Sequence, residues 1–142
     1  MKSLGIAIKK GEIWYSFMEG TNKEVAIIGE TGKQNYRPES TKLMVDFDNI
    51  FTELLAKFKP DVVSYKLSLD ITMKQIPYMH YSLGVLNLLC QQKDITLIER
   101  SNRWITANKN SKIQAFEKQY PDCNYKNEKL ASSVMAWYAL GE

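Results

Sequence analysis

The chain has 142 residues, of which 44% are hydrophobic and 25% are charged, and its formal net charge is +3. This size and composition are typical of a globular protein that buries a core, so we expect residues 1–142 to form a single domain. The apolar runs are far shorter than the ~20 residues of a membrane span, and the first residues lack a signal-peptide pattern, which together predict a cytoplasmic protein without membrane association.

The first third of the chain is predicted to form three strands. They are Lys2–Ile8, Glu12–Met18 and Glu24–Gly29, separated by the turn signals Lys10-Gly11 and Gly20-Thr-Asn. The first of these segments is almost continuously apolar, as is typical of a central strand buried on both faces. The pattern therefore indicates a three-strand meander followed by a polar stretch, Glu30–Pro38.

The clearest helix follows this stretch. Its apolar stripe at helical spacing consists of Leu43, Phe47, Ile50, Phe51, Leu54, Leu55 and Phe58. Ser40 or Thr41 is expected to cap its start, and Pro60 is expected to end it. The remaining predicted elements are a strand at Asp61–Tyr65, a helix at Tyr78–Gln91, a strand at Ile95–Glu99, and helices at Ser111–Gln119 and Asn127–Leu140.

This element order, βββαβαβαα, is that of an α/β protein. The very short connections around Pro60 and at Gln92–Asp94 are suited to crossovers between parallel strands, whereas the opening meander is antiparallel. We therefore expect a mixed five-strand sheet with helices on both faces.

Several segments resemble one known family. Leu4-Gly-Ile-Ala-Ile-Lys9 and Lys59-Pro-Asp-Val-Val-Ser-Tyr-Lys66 resemble the first and fourth strands of RuvC-type resolvases. The stretch Ile95–Ile105 resembles the family's fifth strand and the loop after it, with Trp104, Lys109 and Lys112 at comparable places, and Asn127–Ala139 resembles its closing helix. The resemblance implies a ribonuclease H-like fold, and it is nearest to an acid-poor bacterial branch that also carries Lys in strand four.

The resemblance also implies where metal ligands would lie. Active relatives hold two divalent cations on carboxylates, and the corresponding positions here are Ala7, Lys66, Glu128 and Ala131. Only Glu128 could coordinate a cation, so we expect a degenerate, catalytically inactive site with no metal and no cofactor. Relocated carboxylates remain an alternative, and the candidates are Asp46, Asp48, Asp70 and Glu99.

Two interpretations of Lys66 stay open. It is either a strand-end lysine that extends into water, or an anion-binding group in a vestigial cleft. The candidate anion- or nucleic-acid-binding residues are Lys9, Lys10, Lys66, Arg103, Lys109 and Lys112. Trp104 in the same region either packs in the core or stacks on an unpaired base.

Three functions follow as hypotheses. The first is an inactive RuvC-like module that binds nucleic acid or another protein. The second is an active metal-dependent nuclease with relocated carboxylates, and the third is a protein-binding adaptor with no nucleic-acid role. Fold alone does not decide between these functions. A homodimer is compatible with each of them.

Overall fold

A computed structural model describes residues 1–9, 11–37, 41–67, 76–101, 104–105 and 109–141. The strands are β1 at Lys2–Lys9, β2 at Glu12–Glu19, β3 at Ile27–Asn35, β4 at Val62–Leu67 and β5 at Thr96–Glu99. The longer helices are α1 at Leu43–Phe58, α2 at Ile76–Gln92, α3 at Lys109–Gln119 and α4 at Asn127–Ala139. A short 3-10 helix occupies Lys23–Val25.

The sheet has the strand order β3-β2-β1-β4-β5. Strand β1 is antiparallel to β2 and parallel to β4, and β4 is parallel to β5. The predicted α/β fold with a mixed five-strand sheet is thereby confirmed. The apolar first strand is central, as predicted, and it lies beside β4, where Leu4 pairs with Val63.

The third strand lies further along the chain than the predicted segment Glu24–Gly29. The structure places β3 at Ile27–Asn35, in the stretch that was predicted to be polar connection, because β3 is an edge strand whose side chains are mostly exposed and mostly polar. An edge strand of this kind lacks the apolar pattern that marks a buried strand. The residues before it form the 3-10 turn, which Asn22 caps by accepting a hydrogen bond from the Glu24 N–H at 2.8 Å.

The start of α1 differs from the predicted cap, whereas its end agrees with the prediction. Lys42 occupies the N-cap position and makes no side-chain capping bond, so Thr41 is not the cap, and Ser40 lies outside the described residues. At the other end Lys59 adopts a left-handed conformation, with φ of 47°, and its N–H caps the helix by bonding to the Leu55 carbonyl. Pro60 then follows the helix directly, as predicted.

The sheet separates two apolar layers. One face packs against α1 and α2, in a cluster that includes Leu4, Ile6, Phe47, Phe51 and Leu86. The opposite face packs against α3 and α4, whose buried members in that layer are Phe116, Val134, Ala136, Trp137, Ala131 and Met135. Helices on both faces were predicted from the element order.

Helix α4 lies unusually close to β1 because β1 offers only small side chains on that face. A Cβ atom built on Gly5 would lie 2.9 Å from the carbonyl carbon of Ser132 and 3.0 Å from the nitrogen of Ala136. Buried hydroxyls fasten the contact: Ser16 Oγ lies 2.9 Å from Ser132 Oγ and 2.7 Å from Ser133 Oγ. Gly5 is therefore the residue that sets the spacing between this helix and the sheet.

Cys90 is buried within α2, and burial raises the pKa of its thiol to about 11. None of the helices in the described part of the chain is long and apolar enough to cross a membrane.

Candidate functional site

The candidate site lies where β1 and β4 end. These strands are parallel neighbours, so their carboxyl ends meet at one edge of the sheet, which is where ligands bind in open α/β sheets. Ala7 pairs with Lys66 on β4 and with Trp14 on β2. These three side chains form one row across the sheet, on the face that α4 covers.

Ala7 lies in a closed apolar cluster. Its buried partners are Ile105, Ala131 and Met135, and Trp14, Trp104 and Ile113 pack around them. The structure thus brings together Ala7 and Ala131, two of the four positions that the resemblance singled out. The place expected to hold carboxylates is filled by methyl groups and large apolar side chains.

Lys66 lies beside this cluster and is only 8% exposed. The prediction that β4 ends at Tyr65 was wrong, because pairing with β1 continues through Leu67, and Lys66 consequently lies inside the strand. The interpretation of Lys66 as a strand-end lysine extending into water is wrong for the same reason. No hydrogen bond or ion pair joins its ammonium group to any other residue that the structure describes.

Glu128, the one acid among the four positions, is directed towards Lys9. It lies in the first turn of α4, and its Oε1 is 4.0 Å from Lys9 Nζ, with the glutamate side chain 15% exposed. Lys9 is 39% exposed, so this is a loose ion pair at the surface, of a kind that contributes about 0–1 kcal/mol. The charge of Lys9 is therefore partly balanced by Glu128, and it does not simply add to that of Lys66.

Arg100 was not among the predicted site residues, yet it is held at the same edge. Its backbone N–H bonds to the Tyr65 carbonyl at 2.8 Å, which extends the pairing of β4 and β5 by one residue and turns Arg100 to the face of Lys66. Its Nε donates to the Oγ of the fully buried Ser64 at 3.1 Å. Its position directly after a strand that ends at this edge is the signal that could have found it.

Trp104 connects the basic side chains of this region. The guanidinium of Arg100 lies 4.4 Å and the ammonium of Lys112 lies 4.3 Å from the centre of its indole ring. Lys112 Nζ also donates to the Trp104 carbonyl at 3.0 Å, and the Tyr138 ring packs edge-on at 5.4 Å. With its ring covered by these groups, Trp104 fits the core interpretation better than the base-stacking one.

Several predicted site residues lie outside the part of the chain that the structure describes. Lys10, Arg103 and Asp70 lie outside the described residues, and the side chain of Lys109 does as well. Of the other relocated acids, Glu99 pairs with Tyr65 and so lies on the opposite face of the sheet from Lys66. Asp48 on α1 is exposed and accepts a hydrogen bond from Thr52 at 3.2 Å. No group of three or more metal-ligating side chains forms within the described ranges.

The donor set does not fit the two divalent cations of active relatives. Hard cations require several oxygen ligands, whereas the described positions offer two methyl groups, an ammonium group and a carboxylate directed at Lys9. The ammonium would also repel a divalent cation. No metal-dependent step can be derived from these residues.

Three cationic side chains, those of Lys66, Arg100 and Lys112, lie at this edge. The contacts that place Lys112, to the Trp104 carbonyl and its indole ring, are with uncharged groups. Such contacts orient a cation without neutralising it. Chemically, the arrangement is able to attract and orient an anion such as a phosphate.

Comparison with solved structures identifies the architecture. No protein-family model and no curated protein sequence matches the chain. A Thermus thermophilus RuvC in complex with Holliday junction substrate superposes with a TM-score of 0.75 at 11% identity, covering 99% of this chain and 93% of that one. The yeast mitochondrial Holliday junction resolvase gives 0.70 at 16% identity, covering 97% and 79%. The fowlpox virus resolvase, in complex with Holliday junction DNA, gives 0.61 at 12% identity, covering 99% and 97%. The chain therefore has the RuvC-like form of the ribonuclease H fold.

Proposed function

We propose that the chain is a catalytically inactive RuvC-like module that binds nucleic acid through its phosphates, without divalent cations. The observation that carries the proposal is the pairing of Ala7 with the buried Lys66 at the edge where active relatives would hold metals. The ammonium group of Lys66 supplies positive charge there in place of a metal.

The arrangement of charge supports binding over chemistry. Lys66, Arg100 and Lys112 lie on or beside the cluster around Ala7 and Trp104, and the neutralisation of phosphates by such side chains supplies a large share of the affinity for nucleic acid. Two of the superposed resolvases are solved with Holliday junction DNA. Branched DNA is therefore the first ligand to test, together with duplex and single-stranded DNA and RNA.

An active nuclease with relocated carboxylates has less support. Glu99 lies on the other face of the sheet, Glu128 is directed at Lys9, and the described residues form no group of three or more possible metal ligands. Loss of ligands at two strand positions also removes the groups that would bridge the cations.

A protein-binding adaptor is the second candidate, and a separate feature favours it. A groove of about 440 Å³ lies between α1 and α2 on the far face of the sheet, lined largely by apolar side chains. Met44, Val45 and Leu88 each remain about half exposed there. Exposed apolar patches of this kind are typical of interaction sites.

The test is fluorescence anisotropy with labelled junction, duplex and single-stranded oligonucleotides over a salt series, in EDTA and in magnesium. We expect affinity that EDTA leaves unchanged and that falls with salt, each neutralised phosphate adding about 0.7–0.9 to the logarithmic slope. We expect no cleavage of any substrate in magnesium or manganese.

The matched variants are Lys66→Met and Lys93→Met. Both remove one ammonium group, but Lys93 is an exposed residue just before β5, at the opposite edge of the sheet. Only Lys66→Met should weaken binding, and it should do so for all base sequences alike, because phosphate contacts carry no base information. Absence of any affinity for nucleic acid at low ionic strength would refute the proposal and favour the protein-binding adaptor.

A further inference from the structure

The most unusual group in the described part of the molecule is the ammonium of Lys66. Lys66 as a whole residue is 8% exposed, its place on β4 is beside an apolar cluster, and its ammonium has no partner among the described residues. A buried charge is unfavourable unless it is paired or hydrogen-bonded. The ion pairs of Lys9, Lys33 and Lys57, by contrast, lie at the surface.

A second donor is held next to it. Ser64 lies two residues before Lys66 on β4, so both side chains leave the strand on the same face, about 7 Å apart along it. Ser64 is fully buried and its Oγ fixes the Nε of Arg100 at 3.1 Å. The guanidinium is therefore anchored by a strand residue on the same face of the sheet as Lys66, and it also lies over the Trp104 ring.

The small exposure of Lys66 restricts what can reach it. An internal phosphodiester continues into chain on both sides and carries one negative charge, so it suits cations that stand out from a surface. A terminal phosphomonoester has one covalent attachment, three acceptor oxygens and a charge of about −1.5 to −2. A lysine of such small exposure is better suited to this second group.

We propose that Lys66 and Arg100 form a recess for the terminal phosphate of a nucleic-acid strand. This rests on the proposed nucleic-acid binding and makes it specific, because the preferred ligand becomes a strand end and not an uninterrupted backbone. Lys66 provides the main positive charge, and Arg100, whose Nε is bonded to Ser64, provides a second cation on the same face of the sheet.

The experiment compares one labelled oligonucleotide in three forms: with a 5′-phosphate, with a 3′-phosphate, and with hydroxyl groups at both ends. The label is internal, so that both ends stay free. We expect at least one phosphorylated form to bind about tenfold more tightly than the hydroxyl form, the scale of a charge-assisted hydrogen-bond network. Which form does so distinguishes the two ends. Inorganic phosphate should compete with the phosphorylated form at concentrations that leave hydroxyl-ended binding unchanged.

Variants separate the recess from general attraction. Lys66→Met should abolish the preference for the phosphorylated end, Ser64→Ala should reduce it by releasing Arg100, and Lys93→Met should preserve it. Equal binding of all three forms, still weakened by Lys66→Met, would overturn the terminal-phosphate assignment while leaving nucleic-acid binding intact. Absence of binding to any form would overturn both.

Discussion

Substitution of Gly5 by Ala tests the packing that closes the candidate site. A Cβ at this position would lie 2.9 Å from the carbonyl carbon of Ser132 and still closer to its oxygen, where ordinary van der Waals contact begins at 3.4 Å. Both atoms belong to the backbone of α4, which cannot rotate away as a side chain could. The helix must therefore move outward by at least half an ångström.

The magnitude follows from what that movement disturbs. Overpacking alone costs about 1–3 kcal/mol. The shift also strains the buried hydrogen bonds between the hydroxyl of Ser16 and those of Ser132 and Ser133, and the bond from Ser3 Oγ to the Ala136 carbonyl, each contributing about 1 kcal/mol. A loss of roughly 3–5 kcal/mol is expected, out of a typical total of about 5–15 kcal/mol.

Urea denaturation followed by circular dichroism measures this change, with Gly84→Ala as the matched control. Gly84 lies in α2, and a Cβ there would meet nothing within 4 Å, so the same substitution should stabilise the protein by about 0.5–1 kcal/mol. A Gly5→Ala protein within 0.5 kcal/mol of the parent, about the scale of an ordinary surface change, would refute the close approach of α4.

Three further outcomes are expected. Lys66→Met should raise the free energy of unfolding by roughly 1–3 kcal/mol, because it removes a buried charge without a described partner, and a lower value in urea denaturation would contradict this burial. Calorimetric titration with magnesium or manganese should show no specific site in the low-millimolar range, and metal-dependent cleavage lost on mutating Asp46, Asp48 or Glu128 would contradict the inactive assignment. Burial raises the pKa of the Cys90 thiol from 9.0 to about 11, so the thiol ionises at lower pH in the unfolded chain than in the folded protein. Burial of the neutral thiol therefore contributes stability that is lost as the pH rises through the range between these two pKa values. The loss is up to about 3 kcal/mol, and Cys90→Ala should show a correspondingly smaller decline between pH 8 and 11 in the same assay.

The element order could be predicted because its signals are local. The apolar run of β1, the helical stripe of α1 and the break at Pro60 each specify one element without reference to the rest of the chain. The edge strand β3 could not be found in this way. Its position depends on pairing with β2, and its polar residues at Glu30 and Lys33 carry no strand pattern.

The candidate site was predictable in position but not in environment. The resemblance located Ala7 and Ala131, which the structure brings into one cluster, although they lie far apart in the sequence. The burial of Lys66 had no local signal, because it results from neighbouring strands and from the close approach of α4. Arg100 was missed for a similar reason, since its role depends on Ser64 in another strand.

Packing accounts for most of the residues at this edge, but it does not account for Lys66. Methyl groups at positions 7 and 131 let Met135 and Ile105 close over the sheet, and an apolar residue at position 66 would complete that core at lower free energy. An ammonium group is the choice that stability disfavours, and departures of this kind are expected at functional sites. Position 66 and position 5 should therefore behave differently: Lys66→Met should gain stability and lose phosphate binding, whereas Gly5→Ala should lose stability and, by moving α4 away from the cluster, lose binding with it. If the Lys66→Met protein gained stability and kept full affinity for nucleic acid, Lys66 would have no role in binding and the binding surface would lie elsewhere.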